Sequence, residues 1–174
     1  FNAPLMAKFN HLGEAQSIRG LAQYTEEVRD RFINLAISYN INIITGSMPY
    51  VKEDGGLYNV GFLVRRDGSY EMYEKVHVTP DEIKSWGLSG GKMVQTFDTD
   101  CAKIGILICY DVEFPELSRI MADQGMQILF VPFLTDTQNG YSRVRVCAQA
   151  RAIENECFVV IAGSVGNLPR VHNM

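Results

Sequence analysis

From Tyr24 to Tyr39, the apolar positions Val28, Phe32, Leu35, Ala36 and Tyr39 recur at steps of three and four, the spacing of an amphipathic helix. The pattern then changes. INIITG (41–46) is a β-branched run that reads as a buried strand closing on glycine, and KEDGG (52–56) reads as a turn. NVGFLVRR (59–66) and YEMYEK (70–75), joined by a DGS turn, predict a hairpin. CAKIGILIC (101–109) predicts a strand, and PELSRIMADQG (115–125) a helix with Pro115 in its first turn and Gly125 at its stop. QILFVP (127–132) is a further strand, SRVRVCAQARAIENE (142–156) a helix and CFVVIAG (157–163) another strand. Elsewhere the chain is less regular. Residues 1–20 read as loop with one helical turn, 79–95 as an ordered loop, and the terminal VHNM shows no element. Helices alternating with strands, plus one hairpin, indicate an α/β sandwich.

Composition narrows the function classes. At 174 residues and 47% hydrophobic, the chain suits one globular domain with a sizeable core. A formal charge of −4 and the lack of any basic run argue against nucleic-acid binding. No apolar run approaches the ~20 residues a membrane helix needs, and no signal peptide is visible. The four cysteines, Cys101, Cys109, Cys147 and Cys157, are too scattered for a disulfide framework, so a reducing, cytoplasmic setting is expected.

The chemistry gathers around Cys109. Buried cysteine is ordinarily a small hydrophobe, and that serves for Cys101, Cys147 and Cys157. Cys109 ends an apolar strand and opens a turn into a helix, where α/β proteins concentrate catalytic groups. Such a turn can expose a nucleophile and aim backbone N–H groups at an oxyanion. A histidine partner is poorly supplied: His11 lies in the opening loop, His172 near the end, and His77 alone in a structured context. Lys75, at the end of the second hairpin strand with Glu82 after it, is the better candidate, since a lysine lowers a thiol's pKa and can hold an oxyanion. A solvated strand-end charge is its ordinary alternative. On helix 142–155, Val144, Cys147, Ala148, Arg151, Ala152 and Asn155 share one face, which suggests a buried polar contact for Arg151 and Asn155. A surface pair of Arg151 with Glu154 is the alternative. Asp111 can fix its turn by bonding backbone N–H groups, and Glu116 suits the helix dipole. No CxxC or HxxxH pairing exists, so neither a metal site nor a dithiol redox centre is expected.

Three blocks, in order, resemble the nitrilase superfamily of carbon–nitrogen hydrolases. YEKVHVTPDE (73–82) is similar to that family's lysine block, GILICYDVEFPEL (105–117) to its cysteine block, and RAIENECFVV (151–160) to the block that follows. The resemblance implies an αββα sandwich, here incomplete, and a Glu–Lys–Cys triad. Cys109 would be the nucleophile, Lys75 and the backbone N–H of Tyr110 the oxyanion donors, and Glu82 the group that orients Lys75. Arg151, Glu154 and Asn155 would buttress the site, with Asp111 in its turn. The implied reaction is amide hydrolysis through a thioester, without cofactor or metal, on a small-molecule amide. Nitrile hydrolysis, N-acyl transfer and a non-catalytic binding module are the alternatives. The resemblance further implies a homo-oligomer in the complete protein. FNAPLMAKFNHLGEAQ and ITGSMP resemble hydrolase domains fused to an N-acetyltransferase domain, although no acetyltransferase signature occurs here. FNAPL resembles the loop after the family's first catalytic glutamate. Residues 1–174 are thus expected to form a partial hydrolase domain, lacking first strands and C-terminal strands. Glu14, Glu26 and Glu27 do not replace that glutamate.

Overall fold

In the computed structural model, which describes residues 7–9, 11–168 and 171–173, the chain forms two compact units, Phe1–Lys92 and Met93–Met174. Each is considered by itself. The first opens with a 3₁₀ turn at Ala7–Phe9 and helix α1, Glu14–Ala22, where the sequence pattern predicts loop. The inward stripe of α1 is narrow, just Ser17, Ile18 and Leu21, and Gly13 precedes it without a side-chain cap. Neither an apolar period nor a capping residue announces such a helix. Helix α2, Thr25–Tyr39, keeps the predicted extent, but of its periodic apolar residues Leu35 and Tyr39 are exposed; it ends where Asn40 turns left-handed at φ 54°.

The sheet of this unit is built around the long strand β3. The DGS turn folds β3, Leu57–Val64, onto β4, Tyr70–Glu74, in antiparallel register with Val60 opposite Glu74. The other edge of β3 carries β1, Ile43–Ile44, and β2, Met48–Val51. The predicted 41–46 strand is therefore shorter, and a second strand follows it. Between the two, pairing slips by one residue at Gly46, whose φ of +75° makes the bulge. The face of the sheet bearing Val60, Phe62 and Val64 packs against Ala36, Phe32 and Ile33 of α2. The opposite face carries Asn59, Gly61, Tyr73 and Lys75. Tyr73 lies across Gly61, and its hydroxyl donates to Gly46 O at 2.5 Å. A Cβ on Gly61 would stand 2.0 Å from that carbonyl and 2.4 Å from the Tyr73 ring, so only glycine fits. Residues 79–95, expected as loop, hold a short π-helix at Glu82–Trp86 and strand β5, Leu88–Ser89, parallel to β3.

The second unit is a four-stranded sheet in the order β6 (Thr96–Asp98), β7 (Lys103–Ile106), β8 (Ile128–Phe133), β9 (Phe158–Gly163). The first pair is antiparallel and the others parallel, so each parallel step needs a crossover. Helix α3, Pro115–Asp123, supplies the first and α4, Gln138–Asn155, the second. Helix α4 starts before the predicted 142 because Thr137 caps it, its hydroxyl accepting from Gly140 N at 3.0 Å. Val112, Met121, Leu129, Val131 and Val144 are fully buried in this unit. The ending also differs from expectation: Gly166–Leu168 and Val171–Asn173 form an antiparallel pair, β10 and β11.

Candidate active site

Strand β7 and the buried residues Leu107 and Ile108 deliver the chain to Cys109, where it turns abruptly. Cys109 has φ +51°, in the left-handed region that strains a residue with a Cβ, and opens a 3₁₀ turn running to Glu113. Cys109 is half-buried, and its thiol lies 3.7 Å from Leu134 O, just past β8. Asp111, fully buried, closes the turn: its Oδ2 accepts from Ile108 N at 3.3 Å, while Asp111 N donates to Ile108 O at 3.1 Å. The Tyr110 ring stacks edge-on against Phe114, centroids 5.0 Å apart. Pro115 then begins α3, and Glu116 sits exposed in its first turn.

Helix α4 holds the far side of this elbow. Arg151 is 6% exposed, and its guanidinium donates to Val112 O at 3.0 Å and Glu113 O at 3.2 Å. A further N–H reaches Glu154 Oε1 at 2.7 Å. The two sequence alternatives for Arg151 thus coexist, a buried contact and an ion pair whose carboxylate looks outward. Asn155 donates to Arg151 O at 3.0 Å and to Ser118 Oγ at 3.3 Å, bridging α4 to α3. The small residues Cys147, Ala148 and Ala152 let the helix approach. Burial pushes the Cys147 and Cys157 thiols up, with Glu113 adding to the rise at Cys147.

In the first unit, Lys75 is no solvated charge. It is 2% exposed, and its Nζ donates to both oxygens of Glu82, at 2.7 and 2.6 Å. Glu82 is held in turn by Thr79, whose backbone N–H donates to Glu82 Oε2 at 2.8 Å. Glu82 N donates back to Thr79 Oγ1 at 3.3 Å, which makes a reciprocal capping box at the start of the short helix. The T-x-x-E spacing of TPDE is the sequence signature of this box. Backbone bonds pin Lys75 on either side, its N–H to Asn59 O at 2.9 Å and its carbonyl from Gly91 N at 2.8 Å. Burial also holds the Tyr73 phenol well above the usual tyrosine range.

The structure therefore gathers Cys109, Tyr110, Asp111, Arg151, Glu154 and Asn155 around one elbow, and Lys75 with Glu82 into one buried pair. The contact of Leu134 with the thiol is made by a backbone carbonyl, which carries no sequence signal. Among the described residues, no cluster of His, Cys, Asp and Glu could hold a metal ion, and no helix is long and apolar enough to cross a membrane. FNAPL, which carries the expectation about an upstream glutamate, lies outside the described residues.

Comparison with known proteins bears on this arrangement. The model of the carbon–nitrogen hydrolase family matches residues 4–173. A probable hydrolase of Bacillus subtilis, YhcX, is 50% identical over 174 residues, covering 100% of this chain and 34% of that protein. A deaminated glutathione amidase of Synechocystis is 34% identical over 144 residues, covering 76% of this chain and 53% of the relative. The chain thus spans about a third to a half of the length of these relatives. The crystal structure of Saccharomyces cerevisiae Nit3, a nitrilase-superfamily member, superposes with a TM-score of 0.77 at 29% identity, covering 84% of this chain and 54% of Nit3. This α/β chain, with its cysteine elbow and buried lysine–glutamate pair, belongs to the carbon–nitrogen hydrolase family of the nitrilase superfamily.

Proposed function

We propose that this chain carries the nucleophile and the oxyanion-stabilising lysine of an amidase, acting on a small-molecule amide. The observation that carries the reading is the elbow at Cys109: a thiol at the end of a buried strand, on a residue with φ +51°, held from beneath by Asp111 and Arg151. A plain structural cysteine needs no such backbone. The amidase named among the relatives supports the choice of amide over nitrile.

In this mechanism Cys109 Sγ attacks the amide carbon and its proton passes to a glutamate. That glutamate is the third member of the family's triad, a role given to none of the carboxylates described above. The backbone N–H of Tyr110 and the ammonium of Lys75 stabilise the tetrahedral oxyanion, one such donor being worth about 2.7–4 kcal/mol. Assigning Lys75 and Cys109 to one reaction follows the family's triad. Two of the three Lys75 N–H bonds go to Glu82, which leaves the third for substrate. The glutamate gives its proton to departing ammonia, leaving a thioester on Cys109. It then takes a proton from water, which attacks the thioester, releases the carboxylic acid and restores the thiol.

The test is ammonia release from short primary amides by the full-length protein. Activity lost in Cys109→Ala, with folding kept, is the expected result. Retained turnover in that variant refutes a cysteine nucleophile.

A further inference from the structure

One polar group beside the Lys75–Glu82 pair has no role in that mechanism. Asn59 is 2% exposed, and its Oδ1 is buried without a hydrogen-bond partner among the described residues. Buried polar oxygens are rarely left so. Its place is set by the hairpin register. Val60 stands opposite Glu74 and Lys75 N donates to Asn59 O at 2.9 Å, so Asn59 and Lys75 form the next rung. Side chains directly opposite on an antiparallel rung share a face, with Cβ atoms about 4.5–5.5 Å apart. The amide of Asn59 therefore shares its face with an ammonium that has already committed two protons to Glu82.

We propose that Asn59 is a substrate-binding residue whose Oδ1 accepts an N–H from a primary amide held beside Lys75. The proposal rests on the amidase reading above and names the group that recognises the nitrogen end of the substrate. Its logic is chemical. The oxygen and nitrogen of an amide share one carbon, so a substrate whose carbonyl oxygen meets Lys75 brings its N–H within reach of the residue across the rung. An ester presents the same carbonyl without that N–H. Asn59 thereby favours amides over esters of the same acyl group, and its Oδ1 gains a donor on binding.

The experiment compares propionamide with methyl propionate in the full-length protein and its Asn59→Leu variant. Expected is a fall in kcat/KM for propionamide of about tenfold or more, with the ester changed by less than about twofold. Equal falls for both substrates, or none for the amide, overturn the proposal while leaving the amidase reading intact. A wild-type protein inert on propionamide counts against the amidase reading instead, and binding then decides Asn59. In a Cys109→Ala background, propionamide should raise Tm when Asn59 is present and not in the Leu variant. Equal shifts, or no shift in either, overturn the role. Without ligand, Asn59→Leu should leave Tm unchanged, because the oxygen it removes has no donor among the described residues. A fall of more than about 5 °C marks Asn59 as structural and also overturns it.

Discussion

Two charges withdrawn from water persist only while each has the other, and Lys75 and Glu82 are such a pair, 2% and 7% exposed. Lys75→Met should therefore cost stability as well as turnover, about 3–5 kcal/mol, because Glu82 is left buried alone. Lys75→Met combined with Glu82→Gln should recover most of that loss in urea titrations yet release no ammonia. A double variant that regains activity would remove the lysine from the chemistry. Lys103→Met, which breaks a surface pair with Asp98 at 3.4 Å, should cost no more than about 1 kcal/mol and leave turnover alone. The thiols offer a second check. At limiting iodoacetamide, peptide mapping of the full-length protein should find Cys109 alkylated ahead of Cys147 and Cys157, whose burial disfavours the reactive thiolate. Cys109 should also outpace Cys101, the exposed thiol. Cys109 labelled last would remove the case for an activated nucleophile.

At the scale of elements, the elbow depends on α4 through one side chain. Arg151→Leu leaves Val112 O and Glu113 O without their donor, and should cost about 2–3 kcal/mol. Glu154→Gln, which touches the solvent-facing end of the same network, should cost less than about 1 kcal/mol. Equal losses for both would place the worth of Arg151 in the ion pair and not in the elbow carbonyls. Helix α4 is readable because its buried positions repeat at helical steps, and α2 is readable in extent from the spacing of its apolar residues, although Leu35 and Tyr39 are exposed. Strand β2 is not readable, since Pro49 sits inside its four residues; it survives because β2 is an edge strand. Strands β5 and β6, of two and three residues, are too short to show any alternation. At the site, residue types and order point to Cys109, Lys75 and Glu82 as candidates, and the fold buries Lys75 against Glu82. Asn59 stayed hidden because its meaning comes from cross-strand register, and the φ of Cys109 because backbone strain leaves no mark on composition.

At the scale of the molecule, the sheet of the second unit ends in β9, where Phe158 is 77% and Val160 44% exposed. An apolar strand open along one edge pairs readily with other chains. Residues 1–174 expressed alone should accordingly self-associate in sedimentation velocity runs. On the proposed mechanism, and if no carboxylate among them serves as the acid–base group, they should also release no ammonia from short amides, because unassisted proton transfers forfeit about 10²–10⁴ in rate per step. Turnover by the short chain at a rate like that of the long one would show that the acid–base group lies within residues 1–174. It would then have to be sought among the carboxylates already described.

The left-handed backbone at Cys109 also sets activity against durability. A residue with a Cβ held at φ +51° spends folding energy that glycine there would keep. Cys109→Gly should thus be inactive yet tolerate more denaturant than Cys109→Ala, by about 1 kcal/mol. A screen for heat-resistant variants of this protein would drift toward glycine at its own nucleophile unless turnover were selected alongside.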